Sequence, residues 1–146
     1  MGVFATLQHC NIALEIKELI MNENEISRHV VAAAVEVHRS LGGPGLLESV
    51  YEEALAWELA NRGLDVVRQR EVPLVYKGQL LATPLRLDLQ VCQKVIVEVK
   101  AVNNYNPIFE AQVLTYLRMT GLKLGMVINF GEKMVKDGIH RVANGM

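Results

Sequence analysis

The sequence lacks an excess of charge of either sign: fifteen basic and sixteen acidic side chains leave a formal net charge of -1 over 146 residues. That balance excludes a whole-molecule positive field able to gather nucleic acid without sequence preference, so any nucleic-acid contact has to be local. Cysteine is scarce as well. Cys10 and Cys92 are too few for a disulfide framework and too far apart for a CxxC zinc or redox motif, which fits a reducing cytoplasm. No apolar run reaches the roughly 18 to 20 residues that a membrane span requires. The opening stretch makes a poor secretory signal, because Glu15, Lys17 and Glu18 interrupt it and no basic region precedes it. Met1-Gly2-Val3-Phe4-Ala5-Thr6 fits the bare myristoylation pattern without a second membrane signal beside it. Repeats and low-complexity tracts are also missing. These absences describe a cytoplasmic chain with no membrane partner.

What is present, 51% hydrophobic and 21% charged residues, suits one globular domain with a sizeable core. Residues 1–20 differ in texture and are expected to form an N-terminal extension, disordered or helical, ahead of a single domain over 21–146. Ser27 is placed to cap a first helix with an apolar stripe of Val30, Val31, Ala34, Val35 and Val37, stopped at Leu41-Gly42-Gly43-Pro44-Gly45. A second helix is expected from about Leu47 to Asn61, ended by Gly63. Val66 to Tyr76 is β-rich, Lys77-Gly78-Gln79 reads as a turn, and extended character resumes from Leu80 to Val91, with Pro73 and Pro84 marking edges or bulges. Val95 to Lys100 is another strand. Asn106-Pro107 opens a helix to about Thr120, closed by Gly121. Leu122 to Phe130 is the last strong strand, and Val135 to Val142 adds a short final one. The order is α-α-β-β-β-α-β, an α/β chain of the α+β kind with a mixed sheet flanked by helices.

Three charges do not belong in these strands. Glu98 and Lys100 interrupt an apolar strand, and Asp88 interrupts the one before it. If Cys92-Gln93-Lys94 forms a three-residue loop, Val91 pairs with Val95 and Asp88 falls opposite Glu98. One face would then carry Leu87, Leu89, Val91, Val95, Val97 and Val99, and the other Asp88, Gln90, Cys92, Ile96, Glu98 and Lys100. Opposed residues have Cβ atoms about 4.5 to 5.5 Å apart, a spacing at which two carboxylates repel unless a proton, a basic group or a cation intervenes. Oxygen ligands favour Mg²⁺ or Mn²⁺, and such an ion takes further ligands from substrate phosphate. Phosphodiester hydrolysis fits that arrangement, with Lys100 orienting a water or stabilising developing negative charge.

Asp88, followed by Glu98-Val99-Lys100, resembles the PD-(D/E)XK nuclease signature. The stretch Gly45-Leu46-Leu47-Glu48-Ser49-Val50-Tyr51 resembles the motif of the GxxExxY proteins, a mostly prokaryotic family within that superfamily. The similarity runs from about Met21 to Val142 and takes in Val75-Tyr76-Lys77-Gly78, Arg86-Leu87-Asp88-Leu89 and Glu110-Ala111-Gln112-Val113-Leu114-Thr115-Tyr116-Leu117. The resemblance implies a restriction-endonuclease-like core. It also implies Asp88 and Glu98 as metal ligands, the Val99 carbonyl as a further ligand, Glu48 approaching the metal from the second helix, and Lys100 as the catalytic lysine. Gln112 and Tyr116 look like a QxxxY element, sharing one helix face at i and i+4.

Plainer roles exist for the same residues. Asp88 and Glu98 could be solvated charges paired with Lys100 or Arg86. Glu48 suits a helix first turn, and His38 suits a helix C-terminus. Gln112 and Tyr116 could be a surface amide and a half-buried ring, and Tyr51 and Trp57 are expected in the core or in helix packing. Arg68, Arg70, Lys77 and Arg86 either line a phosphate groove or are ordinary surface. Two functions follow: a Mg²⁺- or Mn²⁺-dependent nuclease on DNA or RNA, or a non-catalytic binding or assembly module on the same fold. A homodimer would supply the groove that one near-neutral domain lacks.

Overall fold

The computed structural model describes residues 12, 13, 15, 16 and 20–146. The expected extension over 1–20 therefore lies almost wholly outside the described residues. Helix α1 (Glu23–Ser40) starts four residues before Ser27. Its cap is Asn22, whose Oδ1 accepts from Glu25 N–H at 2.9 Å while Glu25 Oε2 accepts from Asn22 N–H at 3.3 Å. This reciprocal box satisfies two amides that a bare helix start leaves open. The expected cap, Ser27, instead sits inside the helix and donates to the Asn24 carbonyl.

Helix α2 (Glu48–Asn61) follows, then the strands β1 (Val66–Val72), β2 (Val75–Tyr76), β3 (Gln79–Leu80), β4 (Leu85–Val91) and β5 (Val95–Lys100). Helix α3 (Ile108–Thr120), β6 (Leu124–Asn129), a 3-10 turn (Val135–Gly138) and β7 (Ile139–Ala143) complete the chain. Pro73 and Pro84 fall just outside β1 and β4, where a missing N–H costs no ladder bond. Between them β2 and β3 form a separate small hairpin, so the middle of the chain holds four strands where the sequence suggested two.

The main sheet has the order β1-β4-β5-β6-β7, antiparallel except for β5 and β6, which run parallel with α3 as their crossover. Apolar side chains fill both faces. On one, Ile26, Val30, Ala34 and Val37 of α1 and Tyr51, Leu55 and Leu59 of α2 pack with Leu89, Val91, Val95, Val97 and Val99. On the other, Val113 and Leu117 of α3 pack with Leu87, Ile96 and Val127. A Cβ on Gly125 of β6 would lie 2.3 Å from Val113 Cγ1, so glycine there lets α3 close onto the sheet. This is the mixed sheet flanked by helices expected of a restriction-endonuclease-like core.

Two expectations need correction. Leu87 does not share a face with Leu89, and Cys92 packs with Leu89 and Val91 and not with Ile96: the β1–β4 ladder skips Asp88, the β4–β5 ladder ends before it, and the strand loses strict alternation there. Trp57 is 65% exposed, because Tyr51, Leu55 and Leu59 mark the buried side of α2 and Trp57 lies well around the helix from them. Tyr51 is fully buried and stacks on Phe130, with centroids 4.7 Å apart.

Candidate functional site

The site grows from a hairpin whose ladder stops early. Val91 pairs with Val95, Gln90 with Ile96 and Leu89 with Val97, the register that a Cys92-Gln93-Lys94 loop dictates. Cys92 and Gln93 adopt φ of 51° and 57°, and Lys94 N–H donates to the Val91 carbonyl at 3.1 Å. That is a primed turn with one added residue. One further step brings Asp88 across from Glu98, and there side chains replace the ladder. Asp88 N–H donates to Glu98 Oε1 at 3.1 Å, and Val99 N–H donates to Asp88 Oδ2 at 2.9 Å. Each carboxylate thus takes a backbone amide of the opposite strand.

Glu98 is only 8% exposed. Burial, reinforced by the charge of Asp88, pushes its carboxyl up to about 8. The Lys100 ammonium works weakly in the other direction. Lys100 lies two residues along β5, on the same side as Glu98, with Nζ 4.6 Å from the Phe109 ring centroid. It makes no ion pair within 4.0 Å among the described residues, so its charge is available to a ligand.

Glu48 opens α2, and the loop before it is tied down by Tyr51. The Tyr51 hydroxyl donates to the Gly43 carbonyl at 2.7 Å and accepts from Leu46 N–H at 3.2 Å. Gly43 and Gly45 take φ of 96° and 114°, which explains why glycine recurs in that loop. The Glu48 residue remains solvent-accessible, yet partial burial raises its carboxyl. Lys100 and the Ala101 backbone oppose that shift and Asp88 adds to it, which puts Glu48 in electrostatic reach of the same site. Tyr116 is half-buried, and its hydroxyl is raised first by burial and then by the charges of Glu98 and Asp88. Gln112 lies exposed one turn earlier on the same helix.

The structure therefore gathers Asp88, Glu98 and Lys100 directly and sets Glu48 and Tyr116 around them. Among the described residues, no group of three or more His, Cys, Asp or Glu side chains is close enough to hold a metal ion. Glu48 accordingly stands apart from the acid pair as a potential ligand. The pair itself fits a hard divalent cation, which typically takes one or two carboxylates and completes its shell with water and phosphate. Val99 lies beyond the last β4–β5 pair, so its carbonyl is outside that ladder.

Other charges are engaged elsewhere. Arg68 pairs with Glu52, Arg86 with Glu71, Arg70 with the Gln90 side chain, and Lys77 lies over Tyr76. They do not form a free basic row. His38 is 6% exposed with Nε2 3.0 Å from the Glu132 carbonyl, a structural contact near the end of α1.

Sequence reasoning passed over three residues that support the site. Asn129 is fully buried and bonds both the N–H and the carbonyl of Val102, fixing the chain just after Lys100. Glu52, 6% exposed, and Gln69 form hydrogen bonds behind Asp88. An asparagine at a strand end and a glutamate one residue after a motif tyrosine give weak hints. Gln69 gives none, since nothing about glutamine marks an unusual backbone conformation.

No helix among the described residues is long and apolar enough to cross a membrane. Compared with known proteins, the chain matches no curated protein and no solved structure. Residues 24–142 match the family model of the PD-(D/E)XK nuclease superfamily. The span covers every element from α1 to nearly the end of β7, including the broken ladder with its two acids and lysine, and the chain belongs to the PD-(D/E)XK nuclease superfamily.

Proposed function

We propose that this protein is a Mg²⁺- or Mn²⁺-dependent nuclease that hydrolyses phosphodiester bonds of DNA or RNA. The observation that carries the reading is the facing Asp88–Glu98 pair, Glu98 buried and Asp88 half-buried, at the open end of the β4–β5 hairpin, with Lys100 beside it. Two facing acids, one held up to about 8, are costly to keep in a folded chain unless something positive is meant to lie between them.

Asp88 and Glu98 would hold the cation, with the Val99 carbonyl as a further ligand and Glu48 reaching it through water. A bound divalent ion supplies Lewis-acid polarisation of a phosphoryl oxygen and an acidified water. Lys100 presents its ammonium over the Phe109 ring, suited to orient the attacking water and to stabilise charge on the phosphorane-like transition state. Tyr116 keeps its proton across the working range and can donate to a phosphate oxygen, with Gln112 one turn away on the same face.

A second reading, a non-catalytic binding or assembly module, is favoured by the net charge of -1 and by the prior engagement of Arg68, Arg70 and Arg86. Cleavage of single-stranded DNA, duplex DNA and RNA with Mg²⁺ or Mn²⁺ separates the two. Metal-dependent cleavage lost in Asp88→Asn and Lys100→Met supports the nuclease. Nucleic-acid or protein binding that survives both substitutions, with no cleavage by the wild type, supports the module.

A further inference from the structure

The β1–β4 ladder is missing one rung. Arg68 pairs with Leu89 and Arg70 with Leu87, whereas Gln69, between them, faces Asp88 without pairing. Its φ is 51°, the left-handed region that glycine and asparagine tolerate and that a strand interior does not use. The distortion has a visible product. Gln69 Nε2 donates to Glu52 Oε1 at 2.7 Å and reaches Asp88 Oδ1 at 3.5 Å, so both protons of one amide face carboxylates. Glu52 is 6% exposed, and its second oxygen accepts from Arg68 Nε at 3.3 Å and Nη2 at 3.0 Å. The other Asp88 oxygen, Oδ2, already accepts from Val99 N–H.

Asp88 is thus contacted at both oxygens, closely by the Val99 amide of β5 and at 3.5 Å by Gln69, and contacts at both oxygens bias the plane of a carboxylate. The Gln69 contact runs back through Glu52 to α2 and through Arg68 to β1. Neither Gln69 nor Glu52 is needed to pair the strands, since a regular residue at position 69 would restore the rung.

We propose that Gln69 is a positioning residue for Asp88: its left-handed backbone aims the side-chain amide, buried Glu52 anchors that amide, and together they set the plane in which Asp88 meets a divalent cation. The inference rests on the metal-site reading above. Partners of this kind behind a ligand typically change metal affinity about 10- to 100-fold when removed, because they orient the ligand and tune its basicity.

The test uses the full chain and the Gln69→Gly variant. Glycine adopts the same φ without strain, which offsets the loss of the Gln69–Glu52 bond, so the variant is expected to melt in chelator close to the wild-type temperature. Its Mn²⁺ affinity by calorimetry is expected to fall about tenfold. A fall in affinity while stability holds is the signature of positioning. Unchanged affinity overturns the proposal, and so does a fall in melting temperature that accounts for the affinity loss. The side-chain ¹⁵N order parameter of Gln69 in metal-free wild type gives an independent reading, expected to be above about 0.6, whereas a freely rotating amide would lie below it. If the wild type takes up no Mn²⁺, the metal-site reading fails, and the order parameter alone decides whether Gln69 is held against Asp88.

Discussion

The two ends of the β4–β5 hairpin are made from the same two strands and do opposite things. At the turn end, Val91, Val95, Leu89 and Val97 are fully buried and joined by regular pairing. At the open end, the ladder gives way to carboxylate-to-amide bonds, and an acid is buried beside another acid. The first arrangement stabilises by removing apolar surface from water. The second costs stability and is kept in place by the first. On the proposed reading, function is located where the backbone stops satisfying itself.

Substitutions along the hairpin are expected to separate its two ends. The largest effect is expected at the turn end, where Leu89→Ala should lower the unfolding free energy by about 2–5 kcal/mol in urea titration, with residual cleavage per folded molecule preserved. Lys100→Met at the open end should do the reverse. Cleavage is expected to fall by about 10²–10³-fold while the urea midpoint hardly moves, as for removal of one group that stabilises transition-state charge.

Glu98→Gln should stabilise the metal-free protein. Because the native state holds the Glu98 proton up to about 8, above the usual 4.5, the folded chain binds more protons than the unfolded one in that interval. Stability in chelator therefore falls as pH rises from about 5 to 8. Glutamine keeps the acceptor for Asp88 N–H and carries no charge, so the variant should lose this slope and gain on the order of 4 kcal/mol at pH 8. A wild-type stability that rises over the same interval would contradict the burial argument. Metal affinity should climb with pH across that range, since the ion has to displace the proton.

The smallest effect belongs to Arg86→Ala. Arg86 and Glu71 form a 2.8 Å pair at the same open end with side chains 60% and 57% exposed. Loss of so exposed a pair is expected to change stability by less than about 0.5 kcal/mol, which separates burial of charge from mere presence of charge.

How much of this could be read beforehand depends on whether a property is carried by residue type or by neighbours in space. The hairpin register was legible because the loop length fixes which residues face one another, and Asp88 and Glu98 stood out against an apolar run. Gly121 as the stop of α3 followed from the left-handed cap that glycine favours, and it takes φ of 75°. The separate β2–β3 hairpin was not legible: two-residue strands carry too little pattern to distinguish from a continuation of β1 and β4. The exposure of Trp57 was missed because its size suggests burial, while its angle around α2 decides otherwise. Glu52 and Gln69 were missed because their meaning lies in contacts with residues distant in sequence.

Anomalous diffraction from crystals of the wild-type protein grown with Mn²⁺ decides whether Asp88 and Glu98 together bind a divalent cation. A manganese peak is expected between the Asp88 and Glu98 carboxylates, within ligand distance of both and absent in Glu98→Ala. A well-ordered Asp88–Glu98 pair with no manganese between them, or manganese bound at other residues only, would rule out a shared cation site.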